Sequence, residues 1–220
     1  AAMNNLANSY RNIYEFKKSE DLYKNVIKKD PKNIKSLNNY SNLKRKLNNY
    51  RDAKTLLLKA LTIDESNVII LTNLVVCCQG LGEMTDAKNY ANKILEIEPL
   101  NTSAHKLLSS IVNYNKEPDH FNKMKKLLSE ENLNNFSSSE KVQLFFAIGK
   151  AYEDIKDYEN SYNFLSKANL IEKQKNSFNY SSIKKLCNDL VELFDSINLE
   201  NLPQIESKKK SIFICGMPRS

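Results

Sequence analysis

A repeat of 34 residues is the feature of this sequence that most constrains its fold. The pattern Asp/Glu-X-X-Asn occupies residues 30–33 and returns at 64–67 and again at 98–101, each time 34 residues later. The same interval separates Ala53 from Ala87. A fixed interval of this length is typical of arrays in which each unit contributes a pair of helices and stacks on its neighbours. The interval therefore predicts an all-α solenoid.

Apolar and small residues fall at helical spacings within each unit. In the second unit, Ala53, Leu57 and Ala60 lie on one face of a predicted helix, and the small Ala53 allows the paired helices to approach closely. With these residues and this length, the three units resemble the tetratricopeptide repeat (TPR). After a less regular stretch, residues 146–154 and 158–172 predict one more unit of the same kind.

The less regular stretch begins after Asn101. We expect, in order, a first helix, a break, a short amphipathic helix and a polar loop, at residues 102–115, 117–118, 119–129 and 132–139. Ser138 or Ser139 is the predicted N-cap of the helix that follows, because a serine hydroxyl can accept a hydrogen bond from the first helical turn.

Three segments are predicted along the chain. Residues 1–175 form the TPR helical-repeat region, and residues 176–210 hold a capping helix and a basic linker. The capping helix is expected over residues 180–196, since the end of a solenoid must hide an apolar face. Residues 211–220 are expected to start a further domain, and the sequence begins inside what looks like a running helix, so that both ends of the sequence look cut.

Polar residues on the predicted first helices are candidates for partner binding. If the TPR geometry applies, seven of them face a concave groove: Asn8, Arg11, Asn12, Asn38, Asn42, Arg45 and Lys46. Asparagine can hydrogen-bond a peptide backbone, and arginine can hold a carboxylate. The groove is therefore predicted to take a protein or peptide. The alternative is that these are ordinary solvated side chains.

Charge and composition argue against several other functions. The net charge is +7, but the lysines are spread along the sequence and no RNA-binding module is present, so no nucleic-acid partner is predicted. No apolar run is long enough for a membrane span. The four cysteines form no C-X-X-C pair, which favours small apolar fillers in a reducing, cytoplasmic compartment. His105 and His120 are isolated in the sequence, and no metal site is predicted.

The end of the sequence carries a different signal. Residues 212–214 are a short β-prone run, and they enter a loop suited to an anion, with a glycine, a rigid proline, an arginine and a hydroxyl. The candidate cofactor-binding residues of this loop are Gly216, Met217, Pro218, Arg219 and Ser220. One interpretation is the start of a Walker A loop of an NTPase or kinase, although that loop carries its charge on a later lysine.

The other interpretation is a sulfotransferase. The strand followed by Pro-Arg-Ser resembles the 5′-phosphosulfate-binding loop of that family, and residues 147–159 resemble bacterial proteins that join TPR units to a sulfotransferase domain. The resemblance implies a bacterial enzyme with a P-loop-like α/β domain, of which only the first strand and loop are present. It also implies 3′-phosphoadenylyl sulfate (PAPS) as co-substrate, repeats that recruit or orient an acceptor, and catalytic residues downstream of Ser220.

The two functional classes predicted from the sequence differ in chemistry. In the first, the protein transfers a sulfonyl group from PAPS to a hydroxyl or amine, and these 220 residues alone are inactive because most of the nucleotide pocket lies downstream. In the second, the chain is a TPR interaction scaffold without catalysis. The sequence leaves the acceptor and the oligomeric state open.

Overall fold

A computed structural model describes residues 2–175 and 179–196 of the chain. The described residues form helices and connecting turns, with no β-strand among them. The chain divides into two compact units, of which the first ends at Lys175 and the second begins at Asn176. The first three helix pairs are α1 (Ala2–Asn12), α2 (Phe16–Lys29), α3 (Ile34–Lys46), α4 (Tyr50–Leu61), α5 (Val68–Leu81) and α6 (Met84–Ile97).

The remaining helices are less regular in length. They are α7 (Thr102–Ser109), α8 (Asp119–Lys126), α9 (Glu130–Asn135), α10 (Ser138–Asp154), α11 (Tyr158–Lys175) and, in the second unit, α12 (Tyr180–Ser196). The helices of each pair pack against each other, and α3, α5 and α7 continue the stack from the pair before them. The all-helical, TPR-like solenoid predicted from the 34-residue interval is therefore confirmed.

The recurring Asp/Glu-X-X-Asn pattern is a helix-capping motif. Asn33, Asn67 and Asn101 are the N-caps of α3, α5 and α7, and their side-chain oxygens accept backbone hydrogen bonds of 2.9, 3.1 and 2.9 Å. Each asparagine amide also donates to the acidic residue three positions earlier, at 3.0, 3.0 and 2.7 Å. The pattern recurs because every first helix needs its exposed N–H groups satisfied.

Small residues allow the two helices of a pair to approach closely. Ala53 and Ala87 are fully buried where α4 and α6 meet their partners. At the corresponding position of the first pair, Ser19 donates to the carbonyl of Ala7 at 2.8 Å, and in the last pair Ser161 donates to the carbonyl of Gly149 at 2.9 Å. A hydroxyl is tolerated at this buried position because it finds a backbone acceptor.

The turns within the pairs share one backbone conformation. Tyr14, Asn48, Gly82 and Lys156 all have positive φ, at 63°, 58°, 77° and 63°. The first three of these residues lie 34 positions apart. Only Gly82 adopts this left-handed conformation without a steric penalty, which for other residues is about 1–2 kcal/mol.

The irregular stretch differs from the prediction in several places. The helix expected over 102–115 ends at Ser109, because the chain leaves the helical path to bury Tyr114, whose N–H donates to Asp154 at 3.2 Å. The helix expected over 119–129 ends at Lys126, and α9 occupies the first half of the predicted polar loop.

The N-cap of α10 also differs from the prediction. It is Ser137 and neither Ser138 nor Ser139, because Ser137 forms a capping box with Glu140. The structure thus places this helix start one residue before the predicted pair of serines.

The second unit contains the helix predicted over residues 180–196, which is α12. Its capping role stays a prediction. The predicted strand at 212–214 and the phosphate loop lie outside the described residues. Within residues 2–175 and 179–196, no helix combines the length and apolar character that a bilayer span requires.

Candidate functional site

An open cleft of about 610 Å³ lies on the first helices of the three regular pairs. Its lining residues come from α1, α3, the start of α4 and α5: Arg11, Asn12, Asn42, Arg45, Lys46, Tyr50, Asn73 and Val76. We call it the groove cleft. It contains five of the seven residues that were predicted to face the concave groove. The other two, Asn8 and Asn38, lie beside it and are engaged by neighbouring side chains.

Hydrogen bonds occupy these two asparagines. The side-chain oxygen of Asn8 accepts from the Tyr23 hydroxyl at 2.6 Å, and that of Asn38 accepts from the Asn73 amide at 2.7 Å. Arg45 in turn donates to the side-chain oxygen of Asn73 at 3.3 Å. Asn38 therefore holds the Asn73 amide, and Asn73, which itself lines the cleft, holds Arg45.

The positive charge of the groove cleft is not neutralised within residues 2–175. Arg11, Arg45 and Lys46 form no ion pair among the described residues. Lys44, on another face of α3, pairs with Glu20 at 3.0 Å, and Lys54 pairs with Glu83 at 2.6 Å. Among the described residues, ion pairs thus form on other faces of the stack, whereas the three cations of the cleft have no carboxylate partner.

The charge is concentrated at one end of the cleft. Arg11 and Arg45 occupy equivalent positions, 34 residues apart, on α1 and α3. The next equivalent position, on α5, is the neutral Gln79. Lys46 is held at the basic end, with its ammonium 4.3 Å from the centroid of the Tyr14 ring. The cleft is therefore basic over the first two pairs and neutral over the third.

Three lining residues were not predicted from the sequence. Val76 lies one interval after Asn42 and could have been found by extending the period, whereas Asn73 lies one interval after Asn39, which was not among the predicted groove residues. Tyr50 carries no such signal. Its ring packs on Gly80, where an added Cβ would lie 2.5 Å from a ring carbon. The glycine thus makes room for an aromatic wall in the cleft.

A second polar cluster joins the two histidines. His105 Nδ1 and His120 Nε2 lie 2.9 Å apart, and the hydroxyl of Tyr114 lies 2.7 Å from His120 Nδ1. All three side chains are buried. The two histidines, isolated in the sequence, are therefore in contact in the fold. Fifteen residues apart in sequence, they meet because the short α7 and α8 are joined by the turn that buries Tyr114.

One group of possible metal ligands occurs in the described part of the chain. The ligand atoms of Cys78, Glu83 and Asp86 lie within 4.8 Å of one another. The Lys54 ammonium contacts Glu83 at 2.6 Å and Asp86 at 2.9 Å, so it holds the place that a cation would take. Burial raises the pKa of the Cys78 thiol to about 11, which keeps it protonated. The group is therefore a structural ion-pair network.

The predicted cofactor-binding residues Gly216, Met217, Pro218, Arg219 and Ser220 lie outside the described residues. Their role stays a prediction.

Antiparallel helix pairs stacked around a polar cleft define a helical-repeat protein of the TPR type, and a model of the tetratricopeptide repeat matches residues 142–175. The model of the coatomer epsilon subunit family matches residues 4–145, more than half of the chain. The chain therefore belongs to the coatomer epsilon subunit family. Both matches lie before residue 176, and neither is to a sulfotransferase.

Solved structures with similar folds are also TPR-like. A crystal structure of MamA is 19% identical with a TM-score of 0.59, covering 78% of this chain and 97% of MamA. The structure of YrrB, a TPR protein with an unusual peptide-binding site, is 18% identical with a TM-score of 0.56, covering 77% of this chain and 84% of YrrB. At these identities the similarity shows the fold alone. No curated protein sequence matches the chain.

Proposed function

We propose that the repeat region is a scaffold that binds an extended, acidic segment of a partner protein in the groove cleft. The observation that carries the proposal is the convergence of Arg11, Arg45 and Lys46 in one cleft with no ion pair inside the described unit. A carboxylate from a partner would supply the missing counter-charges without breaking any existing contact.

The cleft offers complementary chemistry for each part of a peptide. The guanidinium groups of Arg11 and Arg45 can each bind a carboxylate with two parallel hydrogen bonds. The side-chain amide of Asn42 can bond a peptide backbone. Tyr50 and Val76 give the neutral end an apolar wall. We therefore expect an acidic side chain or a terminal carboxylate at the basic end, with an apolar residue beside it.

Two similarities support a scaffold. The family to which the chain belongs is named for a subunit of an assembly. YrrB, which shares the fold, is a TPR protein with a peptide-binding site. Neither similarity identifies the partner of this chain, so the acidic character of the ligand is argued from the cleft alone.

The scaffold proposal predicts that Arg45→Ala weakens binding of an acidic peptide about tenfold. Loss of one charge-assisted contact of this kind is worth about 1.5–3 kcal/mol, and exposure to solvent reduces that value. Fluorescence anisotropy with a labelled Asp/Glu-rich peptide measures the effect, and added salt should weaken the wild-type complex.

Arg51→Ala is the matched control, because Arg51 is an exposed arginine on α4 that does not line the cleft. It should leave the affinity unchanged. Equal binding of the acidic peptide and of its Asn/Gln counterpart by the wild-type protein would refute the proposal.

A second candidate function rests on residues 212–220. The strand-like run followed by Gly216, Pro218, Arg219 and Ser220 supports a PAPS-dependent sulfotransferase domain that begins there, in a bacterial cytoplasmic protein whose repeats present the acceptor. Arg219 and Ser220 would hold the 5′-phosphosulfate, where donors facing the bridging oxygen stabilise the charge that develops as the sulfonyl group leaves.

The sulfotransferase candidate predicts that the full-length protein binds adenosine 3′,5′-bisphosphate and that Arg219→Ala weakens this binding at least tenfold. Isothermal titration calorimetry measures both affinities. Lys209→Ala, in the basic run before the strand, serves as the control for general charge attraction. Absence of any binding heat from the wild-type protein would remove this candidate and leave the scaffold proposal intact.

A further inference from the structure

The buried histidine pair belongs to a chain of hydrogen bonds in which every donor points the same way, from Tyr114 towards Pro99. His105 Nε2 lies 3.0 Å from the carbonyl oxygen of Pro99, which can only accept, so this nitrogen carries a proton. In a neutral ring, His105 Nδ1 is then an acceptor and takes its hydrogen bond from His120 Nε2. His120 Nδ1 is left to accept from the Tyr114 hydroxyl. Both imidazoles are thus assigned the same tautomer by their partners.

The chain is complete only when both rings are neutral. A second proton on His105 would place its Nδ1–H against the Nε2–H of His120. A second proton on His120 would turn the Tyr114 oxygen into an acceptor and leave the buried hydroxyl hydrogen without its partner. Each protonation therefore breaks a buried hydrogen bond and adds a charge with no hydrogen-bonded counter-ion.

The surroundings do not offset that charge. The ionisable groups around the three rings come from α6, the α7–α8 connection, α8 and α10: Lys88, Glu96, Lys116, Glu117, Asp119, Lys123, Lys126, Lys150 and Asp154. Glu117 is paired with Lys88, and Asp154 with Lys150. No carboxylate among the described residues is hydrogen-bonded to either imidazole, and Lys123 disfavours a charge on both.

The hydrogen-bond chain also lies where the solenoid is least regular. It connects the α6–α7 turn, α7, the α7–α8 connection and the first turn of α8. Both helices have eight residues, so few hydrogen bonds of their own hold them. An open cavity of about 890 Å³ is lined by both histidines, which gives solvent a route to the rings.

We propose that the Tyr114–His120–His105–Pro99 chain is an acid-sensitive joint: as the pH falls below about 6, local opening of residues 99–126 becomes more frequent while the first three helix pairs stay folded. Since α7 packs against both α6 and α10, its release interrupts the stack between the third pair and the last. The joint would thus separate the groove cleft from the α10–α11 pair when the surroundings become acidic.

The direction of the pH effect follows from a comparison of two states: the closed state, in which the hydrogen-bond chain is intact, and the released state, in which residues 99–126 have opened. Burial lowers the pKa of His105 below its usual 6.5 and lowers the pKa of His120 to about 3. In the released state both rings regain their usual pKa and take up protons below pH 6.5. The closed state is therefore fully favoured above that pH. As the pH falls, each histidine disfavours the closed state by up to tenfold per pH unit until the pKa of that ring in the closed state is reached, which for His120 is about 3.

Hydrogen–deuterium exchange at pH 7.5 and pH 5.0 tests the joint. With amide rates corrected for the intrinsic pH dependence, the opening equilibrium of residues 99–126 should rise by about thirtyfold on acidification through His120, and by more as His105 adds its own contribution. Peptides from α3 and α4, which contain no histidine, should change less than about threefold. Equal protection of residues 99–126 at both pH values would overturn the proposal, as would equal opening of α3 and α4.

Variants distinguish opening caused by the two histidines from a general loss of stability in acid. His105→Gln with His120→Gln removes both titrating groups and should abolish the pH difference, whereas the exposed control Lys125→Gln, on α8 but outside the cavity lining, should retain it. If the double variant does not fold at pH 7.5, His105→Gln alone should reduce the pH dependence, because it removes one of the two titrating groups. A variant without the histidines that opened like the wild-type protein would refute the proposal. Nitrogen-15 spectra at pH 7.5 should show two neutral rings protonated at Nε2, and a cationic ring would contradict it.

Discussion

Replacement of Leu74 by alanine is expected to lower the free energy of unfolding of the repeat region by about 3 kcal/mol. Leu74 is fully buried on α5, in a core with Ala53, Leu57 and Ile70 that joins the second and third helix pairs. Removal of its side chain loses buried apolar surface and leaves a cavity in the interface between two pairs. Urea denaturation followed by circular dichroism measures the change.

Ile69→Ala is the matched control for this prediction, because Ile69 lies on the same helix but is 65% exposed. It removes a side chain of the same size, yet it should cost less than about 1 kcal/mol, since little buried surface is lost. Equal destabilisation by the two variants would show that burial between the helix pairs does not determine the cost of removing the Leu74 side chain.

The second large effect is expected at Gly149, where α10 and α11 cross. An added Cβ would lie 2.8 Å from Leu165 Cδ2 and 2.9 Å from Leu165 Cγ. The Ser161 hydroxyl holds the two helices together through the Gly149 carbonyl. Gly149→Val should therefore destabilise the protein by about 2–3 kcal/mol, because the crossing has no room for a branched side chain.

A double-mutant cycle tests the assigned cause of the Gly149 effect. Leu165→Ala removes the atoms that the new side chain would contact, so the double variant Gly149→Val with Leu165→Ala should be more stable than the sum of the single changes predicts, by about 1 kcal/mol or more. Measured values that simply add would show that the destabilisation does not arise from this contact.

The regular pairs could be predicted closely from the sequence, and the physical reason is local. Asn33, Asn67 and Asn101 cap their helices through the residues immediately around them, so the same pattern produces the same boundary each time. Ala53 and Ala87 repeat for an equally local reason, the close approach of paired helices. The interval of 34 residues thus carries most of the information about α1 to α6.

The stretch after α6 could not be predicted in the same way, because its structure depends on distant contacts. Tyr114 leaves the helical path to reach Asp154 on α10, forty residues away. His105 and His120 meet only as a result of that path. Their spacing matches no helical or metal-binding pattern, so the sequence offered no signal for the hydrogen-bond chain.

The groove cleft was predicted in part. Arg11 and Arg45 could be placed together because they repeat at the interval of the fold. The exclusion of Asn8 depends on the Tyr23 hydroxyl of α2, and the inclusion of Tyr50 depends on Gly80 of α5. Both are contacts between different helices, and the residue types at single positions do not reveal them.

The shared left-handed turns have a consequence for the order of folding. Two of the four turn positions, Tyr14 and Lys156, hold residues that resist the required conformation, Asn48 tolerates it better, and Gly82 adopts it freely. The third pair therefore has the turn that forms with the least conformational penalty. It also contains α5, which buries many apolar side chains. Folding should nucleate at this pair and then propagate outwards, with each newly formed hairpin serving as the template that holds the next turn in place.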